Sequence, residues 1–133
     1  MKKLNEFEKI TDLKDMLNKS VEKFPDRPAY IFKTDKPGEF RTTKYKELKE
    51  EVDALGTTLI NMGLEGKRIA VIAENRYEWN VAYLAVTCGT GVVVPLDKAL
   101  PANEIESLII RSGVEAIFFS KAYDNVMKDI RAR

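Results

Sequence analysis

The side chains best placed for chemistry are the polar ones that follow three short apolar runs typical of buried strands. In a parallel sheet the carboxyl ends of the strands meet at one edge, which is where α/β proteins bind ligands. One interpretation is that one of these residues contacts a nucleotide or an acyl group: Glu74, Asn75, Arg76, Leu96, Asp97 or Ser120. The interpretation that we favour is local, with Asn75 and Ser120 as helix caps and Asp97 as a turn residue, because ordinary capping and turn chemistry explains all three.

The glycine pairs of the chain do not have the spacing of a phosphate-binding loop. Gly89 and Gly91 follow a predicted helix and lack a third glycine at the required distance. Gly63 and Gly66 come before a predicted strand, whereas the dinucleotide-binding fingerprint follows one. Arg27, between two prolines, is a candidate anion contact, but a surface ion pair is the simpler explanation.

Cys88 is the only cysteine among the 133 residues, and the chain has no histidine. These counts exclude an intrachain disulfide, a Ser-His-Asp triad, a Cys-His pair and imidazole metal ligands. Cys88 lies among apolar residues of a predicted helix, so we interpret it as a core residue and not as a nucleophile. The residue types therefore assign no catalytic, cofactor-binding or metal-ligating side chain.

The central unit of the chain is the stretch 68–97, whose pattern predicts a strand, a helix and a second strand. Its helix is predicted to begin with Asn75 as N-cap. Glu78, three residues later, is predicted to complete a capping box by accepting a bond from the backbone N–H of Asn75. Gly89 and Gly91 are predicted to end that helix before the second strand. A strand, a crossover helix and a parallel strand form a right-handed unit, so these two strands are expected to be parallel.

Helix and strand patterns alternate over residues 44–133, which predicts an α/β fold with a mostly parallel sheet and helices on both faces. Residues 11–43 are predicted to form a helix followed by a hairpin, and residues 1–10 a charged, flexible arm. Thr43 is the predicted cap of the second long helix. The C-terminal residues stop inside a helical pattern without a capping signal, so we expect an incomplete portion of a larger domain.

The composition indicates a globular chain without a strong electrostatic preference for a partner. Lys and Arg number 22 against 21 Asp and Glu, which gives no reason to expect nucleic acid. Apolar residues make up 44% of the chain, enough for a core. No apolar run is long enough to span a bilayer, and no signal peptide follows Met1. We expect a cytoplasmic location, with peripheral membrane association of the parent protein left open.

Three stretches resemble the start of an AMP-forming acyl-CoA synthetase, in the superfamily of adenylate-forming enzymes. They are 24–29 (FPDRPA), 44–48 (KYKEL) and, as the most specific, 84–97 (LAVTCGTGVVVPLD). The last is similar to the family's small-residue and glycine segment that runs into Pro-Leu-Asp or Pro-Leu-Asn. The segment 74–79 (ENRYEW) is most similar to the long-chain fatty acid branch. The pattern departs at Lys44, where the family usually has Thr or Ser.

The resemblance implies a parent ligase that adenylates a fatty acid with ATP and Mg²⁺ and then transfers the acyl group to CoA. The family's phosphate loop, its Tyr-Gly-x-Thr-Glu segment, its ribose-binding Asp, its hinge and its late catalytic Lys all lie downstream in the family order. The resemblance therefore assigns no catalytic residue here. It implies that residues 1–133 are the N-terminal part of the large domain, a scaffold that is inactive alone and binds no cofactor by itself.

Two alternatives stay open from the sequence. The chain could be a free-standing, non-catalytic α/β binding or interaction module, or it could belong to an adenylation domain for another carboxylic acid. An incomplete domain would leave apolar surface bare, so we expect a homodimer or other self-association of a fragment. A finished module is instead expected to be a monomer with a covered sheet.

Overall fold

The computed structural model of the chain describes residues 8–34 and 36–132. The helices and strands, in chain order, are α1 (Leu13–Lys23), β1 (Pro28–Lys33), β2 (Phe40–Lys44), α2 (Tyr45–Asn61), β3 (Arg68–Ile72), α3 (Tyr77–Ala85), β4 (Val92–Pro95), α4 (Ala102–Ser112), β5 (Ala116–Phe119) and α5 (Asp124–Arg131). A π-helical turn (Val86–Thr90) extends α3, and a 3₁₀ turn (Lys121–Tyr123) precedes α5. No helix within these ranges is long and apolar enough to cross a bilayer.

The predicted arm at residues 1–10 lies largely outside the described residues. In its described part, Glu8 forms ion pairs with Lys23 at 2.7 Å and with Lys19 at 3.5 Å. The backbone carbonyl of Lys9 also accepts a hydrogen bond from Lys19 Nζ at 2.6 Å. These contacts hold residues 8 and 9 against α1.

Three parallel strands form the main sheet, in the order β4-β3-β5. Ile69 of β3 lies opposite Val93 of β4 on one side and Ala116 of β5 on the other. The first two strands, β1 and β2, form a separate antiparallel hairpin. The predicted α/β class and the parallel pairing of β3 with β4 are both confirmed.

Helices cover both faces of the sheet, as predicted. Side chains alternate along a strand, so β3 sends Ile69 to one face and Ile72 to the other. Ile69 packs with Leu59 of α2 and with the π-helical turn. Ile72 packs with Ile105 of α4 and Met127 of α5. The first face therefore lies under α2 and α3, and the second under α4 and α5.

The hairpin and α1 form a second layer against α2 and α3. Leu17 of α1 packs in a buried cluster with Val52 of α2 and Tyr77 of α3. The ring of Tyr77 stacks on Phe32 of the hairpin, with 4.8 Å between centroids, and meets the Tyr30 ring edge-on at 5.4 Å. Because α3 starts at Tyr77, these rings fix the position of the loop that leaves β3.

The predicted cap Thr43 is wrong, because α2 begins one residue later. Lys44 is the N-cap, and its backbone N–H donates to Glu47 Oε2 at 2.8 Å. Thr43 remains in β2, where its hydroxyl is buried and makes no hydrogen bond of normal geometry within residues 8–34 and 36–132. A lysine side chain has no acceptor atom, so Lys44 cannot accept a hydrogen bond from a backbone N–H of the first helical turn. Only one half of the capping box forms.

The predicted cap Asn75 is also wrong. The N-cap of α3 is Arg76, and no side chain caps the helix. Glu78 was expected to complete the capping box, but its carboxylate instead accepts hydrogen bonds from Arg76 Nε at 2.7 Å and Nη2 at 3.1 Å. A bidentate bond between two charged groups is stronger than a carboxylate–backbone contact, which explains the change of partner.

The helix ends at Gly89 and Gly91 as predicted, but its last turn is a π-helical turn, which is wider than an α-helical one. Gly89 adopts φ 132° inside the π-helical turn, a conformation that disfavours other residues. Gly91 brings the chain against the residue before β3, where an added Cβ would lie 2.3 Å from the carbonyl oxygen of Lys67. This close approach aligns the starts of β3 and β4.

Candidate functional site

A crevice lies at the carboxyl ends of β3 and β5. The connection that leaves β3 enters α3 on one face of the sheet, and the connection that leaves β5 enters α5 on the other. Adjacent strands whose connections diverge in this way leave a ligand-binding crevice. A pocket of about 260 Å³ occupies it, lined by Val71, Ala73, Arg76, Glu78, Trp79, Ala82, Phe118, Phe119, Ser120 and Lys121.

Ser120 is the buried polar member of this pocket. It is only 8% exposed, and its hydroxyl completes no hydrogen bond of normal geometry within the described residues. The hydroxyl lies near the carboxylate of Glu74 and is the main cause of the lowered pKa of that carboxyl. The predicted cap bond of Ser120 is absent, because a 3₁₀ turn follows it and Tyr123 is the N-cap of α5. The hydroxyl therefore caps no helix and lies beside the Glu74 carboxylate.

Arg76 and Glu78 form an ion pair at the mouth of the pocket. The guanidinium is the main cause of the lowered pKa of the Glu78 carboxyl. The pairing orients Arg76 beside the indole of Trp79, which also lines the pocket and stacks on Tyr83 at 5.2 Å between centroids. The mouth is thus polar, while the walls behind it are apolar and aromatic.

The residues after β4 lie apart from this pocket. Leu96 is a core residue on the α4 and α5 side of the sheet. Asp97 Oδ1 accepts a bond from the N–H of Ala99 at 2.9 Å, so the turn interpretation of Asp97 is confirmed. The hydroxyl of Tyr123 donates to the carbonyl of Lys98 at 2.8 Å and ties this turn to the start of α5.

A second cleft lies on the other side of the β3–α3 loop, against the hairpin. It has a volume of about 600 Å³ and is lined by Phe32, Lys33, Thr34, Arg41, Glu74, Asn75, Arg76, Tyr77 and Glu78. Tyr77 is 6% exposed, and burial together with the nearby Glu51 carboxylate raises its pKa to about 12. Asn75 lines this cleft and not the pocket beside Ser120.

Cys88 and Arg27 play no part in either cleft. Cys88 is half-buried in a separate pocket that also contains Lys14 and Lys49, and burial raises the pKa of its thiol. A thiol with a raised pKa is a poor nucleophile at neutral pH, which agrees with its interpretation as a core residue. The Arg27 guanidinium lies over the ring of Phe24, 4.9 Å from its centroid.

The pocket beside Ser120 has the features of a binding site for a small, mainly apolar ligand with one polar end. Sequence reasoning identified Glu74, Arg76 and Ser120, which the fold brings together, but missed the walls formed by Trp79 and Phe118. The aromatic residues next to the strand end were the available signal. Within the described residues, no three His, Cys, Asp or Glu side chains lie close enough together to hold a metal ion.

Comparison with known protein families gives a match over almost the whole chain. A family model described as AMP-binding enzyme matches residues 17–132. The chain is 31% identical over 113 residues to long chain acyl-CoA synthetase 1 of Arabidopsis thaliana, covering 82% of this chain and 17% of that protein. It is 28% identical over 122 residues to the mitochondrial medium-chain acyl-CoA ligase ACSF2 of Rattus norvegicus, covering 87% and 19%. The chain spans less than a fifth of the length of these relatives.

A solved structure shares the fold. The inhibitor-bound N-terminal domain of FACL13 from Mycobacterium tuberculosis superposes with a TM-score of 0.82 at 21% identity. The superposition covers 93% of this chain and 30% of that one. At this identity the likeness shows a common fold over most of this chain.

Proposed function

Since the chain belongs to the AMP-binding enzyme family, we propose that it is the N-terminal scaffold segment of a long-chain fatty acid–CoA ligase. The parent reaction is ATP-dependent formation of an acyl-adenylate, followed by transfer of the acyl group to CoA. Within it, this segment builds the first three strands of a sheet and the layers on both faces. The observation that carries the proposal is the family match over 17–132, joined to a fold with a crevice at the carboxyl ends of its parallel strands.

The long-chain assignment rests on the similarity to a long chain acyl-CoA synthetase and on the ENRYEW segment at the end of β3. That segment supplies Arg76, Glu78 and Trp79 to the crevice, and it forms the corner at which the chain leaves β3. The similarity to a medium-chain ligase makes acyl chain length the first property to measure in the parent. The half-buried, unpaired Cys88 suits the reducing cytoplasm, which we propose as its compartment.

The chain by itself is proposed to be inactive. Adenylate formation needs fixed donors around a polyphosphate and a metal ion bound to it. The residues that line the crevice supply apolar walls, the Ser120 hydroxyl, the ion-paired Arg76 and Lys121. These groups can hold a ligand, but they do not form the set of converging donors that a triphosphate and its metal ion need. Purified chain is expected to show no ATP–pyrophosphate exchange above the blank with palmitate or decanoate. Exchange that survives repeated purification would overturn the proposal.

The parentage is tested by reading the gene beyond the codon for Arg133. A loop rich in Ser, Thr and Gly that ends in Lys is expected downstream in the same frame. A polypeptide that includes it is expected to gain fatty acid-dependent exchange, with the preferred acyl chain read from the relative rates. A stop codon directly after Arg133 would contradict the ligase proposal and leave a binding module with the fold alone.

A further inference from the structure

The crevice between the carboxyl ends of β3 and β5 has room for a ligand built on one ring. Its volume is about 260 Å³, and an apolar cavity of roughly 150 Å³ is enough to bind benzene. The remaining space suits a short polar arm. A long acyl chain has several times the atoms of one ring, so most of it would lie outside the crevice. The volume therefore favours a compact ligand over a linear one.

The walls of the crevice are aromatic and aliphatic, and they are held in place from behind. Trp79 and Phe118 line the crevice together with the buried side chains of Val71 and Ala82. Tyr83 stacks on the Trp79 indole and does not line the crevice, so it fixes the indole from the far side. Phe118 packs against the buried cluster between the sheet and α2. A ligand ring can meet these rings in the offset or edge-to-face arrangements that aromatic pairs prefer.

The charged groups of the crevice leave one net positive charge. They are one guanidinium, Arg76, one ammonium, Lys121, and one carboxylate, Glu78. Glu78 is bound to Arg76 by two hydrogen bonds, whereas Lys121 forms no ion pair within the described part of the chain. A monoanion balances this charge, but a dianion would leave one charge uncompensated beside apolar walls, which is costly. The ammonium of Lys121 is therefore the group that can pair with a ligand carboxylate.

We propose that this crevice binds a single-ring aromatic acid, in which one ring carries one carboxylate on a short arm. The ring lies against Trp79 and Phe118, and the carboxylate lies at the mouth beside the ammonium of Lys121. Every group that carries the proposal belongs to β3, α3, β5 or the connection that follows one of the two strands. The proposal concerns a site within this chain, so it holds or fails independently of the ligase proposal.

The chain contains its own reporter for the test, because Trp79 is its only tryptophan. Titration of the full 133-residue chain with phenylacetate is expected to give a saturable change in tryptophan fluorescence, with the same affinity measured by calorimetry. Phenylacetamide has nearly the same shape without the charge and is expected to bind several-fold more weakly. Decanoate has the charge without the ring and is also expected to bind more weakly than phenylacetate.

Neutralising Lys121 tests the position of the carboxylate. Lys121→Gln is expected to weaken phenylacetate binding roughly two- to fivefold, the range of an exposed ion pair. Lys128→Gln makes the same change of charge on α5, away from the crevice, and is the matched control, expected to leave binding unchanged. Added salt is expected to weaken binding to the wild type more than binding to Lys121→Gln, since salt screens the exposed attraction.

Filling the crevice tests the position of the ring. Ala73 follows β3 and lines the crevice while only half-buried, so a leucine there occupies the space of the ligand. Ala73→Leu is expected to weaken binding roughly tenfold or more, because the ligand would overpack the site. Ala102→Leu adds the same volume at the exposed start of α4 and is expected to have no effect. If Ala73→Leu is less stable in urea, the Lys121 and Lys128 variants still decide the question.

The absence of a saturable response to phenylacetate would overturn the proposal. Binding that ignores Lys121→Gln, or that survives in stable Ala73→Leu, would place the ligand elsewhere and also overturn it. Tighter binding of decanoate would replace the aromatic acid with a linear acyl chain. Binding to this chain but not to a longer polypeptide of the same gene would show that the crevice is filled in the parent, which contradicts the proposal. Binding in both polypeptides, with the expected dependence on Lys121 and Ala73, would establish the site.

Discussion

Tyr77 carries a hydroxyl that is buried between the hairpin and α2 and makes no hydrogen bond of normal geometry to the residues that the structure describes. Leaving such a group unpaired costs free energy, so its removal is expected to stabilise the chain. Tyr77→Phe should raise the free energy of unfolding at pH 7 by about 1 kcal/mol, measured by urea denaturation. A lower stability of the variant would show that the hydroxyl is bonded in solution.

The same substitution is expected to change the response to alkaline pH. The pKa of Tyr77 is raised from 10.0 to about 12, mainly by burial. Below pH 10 the side chain is protonated in both states, so ionisation does not affect stability. As the pH rises through 10 toward 12, the unfolded state loses the proton first, and the wild type loses stability that Tyr77→Phe retains. The stability difference between the two proteins should therefore grow across this range, and a constant difference would contradict the assignment.

The single-residue expectations failed where two local partners competed. Asn75 and Glu78 have the spacing of a capping box, but Arg76 lies between them and binds the carboxylate with two charged bonds. Spacing alone does not show which partner wins, because the outcome depends on where the side chains point. The pocket position of Ser120 was predictable, since it follows a buried strand, whereas the aromatic wall of Trp79 depends on how α3 crosses the sheet.

Helix α2 begins at a residue that cannot cap it. Lys44 holds the N-cap position and is paired with Asp26 at 3.3 Å, an exposed contact of small value. Lys44→Thr supplies the missing acceptor and is expected to raise the free energy of unfolding by about 1 kcal/mol. Lys44→Ala loses the same ion pair without adding a cap, so it is the matched control and should not stabilise. Equal stability of the two variants in urea denaturation would rule out the capping explanation.

The elements themselves were largely predictable, because their apolar periodicity is strong. β5 begins and ends where its apolar run does, at Ala116 and Phe119, and the hairpin of β1 and β2 follows from the turn residues between them. The π-helical turn was not predictable from periodicity. It arises because Gly91 must approach Lys67 for β4 to align with β3, and that contact is distant in sequence from the helix it widens.

At the scale of the whole molecule, stability should depend on the two-sided burial of β3. Ile72 is 0% exposed between α4, α5 and the sheet, whereas Ile110 on the outer face of α4 is 71% exposed. Ile72→Ala is expected to lower the free energy of unfolding by about 2–5 kcal/mol. Ile110→Ala makes the same chemical change and is expected to stay within about 0.5 kcal/mol of the wild type. Similar losses in chemical denaturation would mean that the sheet is not the centre of the fold.

The architecture of alternating helices and strands was predictable as a class, but the order of the strands was not. Nothing in the sequence requires β5 to pass β4 and pair with the far side of β3. That choice follows from right-handed crossovers and from the need to cover both faces of β3. The crevice beside Ser120 forms because β4 and β5 lie on opposite sides of β3. The sequence alone therefore does not reveal where the pocket is.

The central place of β3 has a consequence for synthesis on the ribosome. β3 is translated before both of its neighbours, and β5 emerges last of the three strands. At about 5–20 residues per second, the side of β3 that β5 covers waits roughly 2–10 s for its partner. During that interval a strand whose last four residues are apolar has an open edge in the nascent chain. We expect this segment to recruit cotranslational chaperones, and faster elongation through residues 73–119 to improve the yield of folded protein.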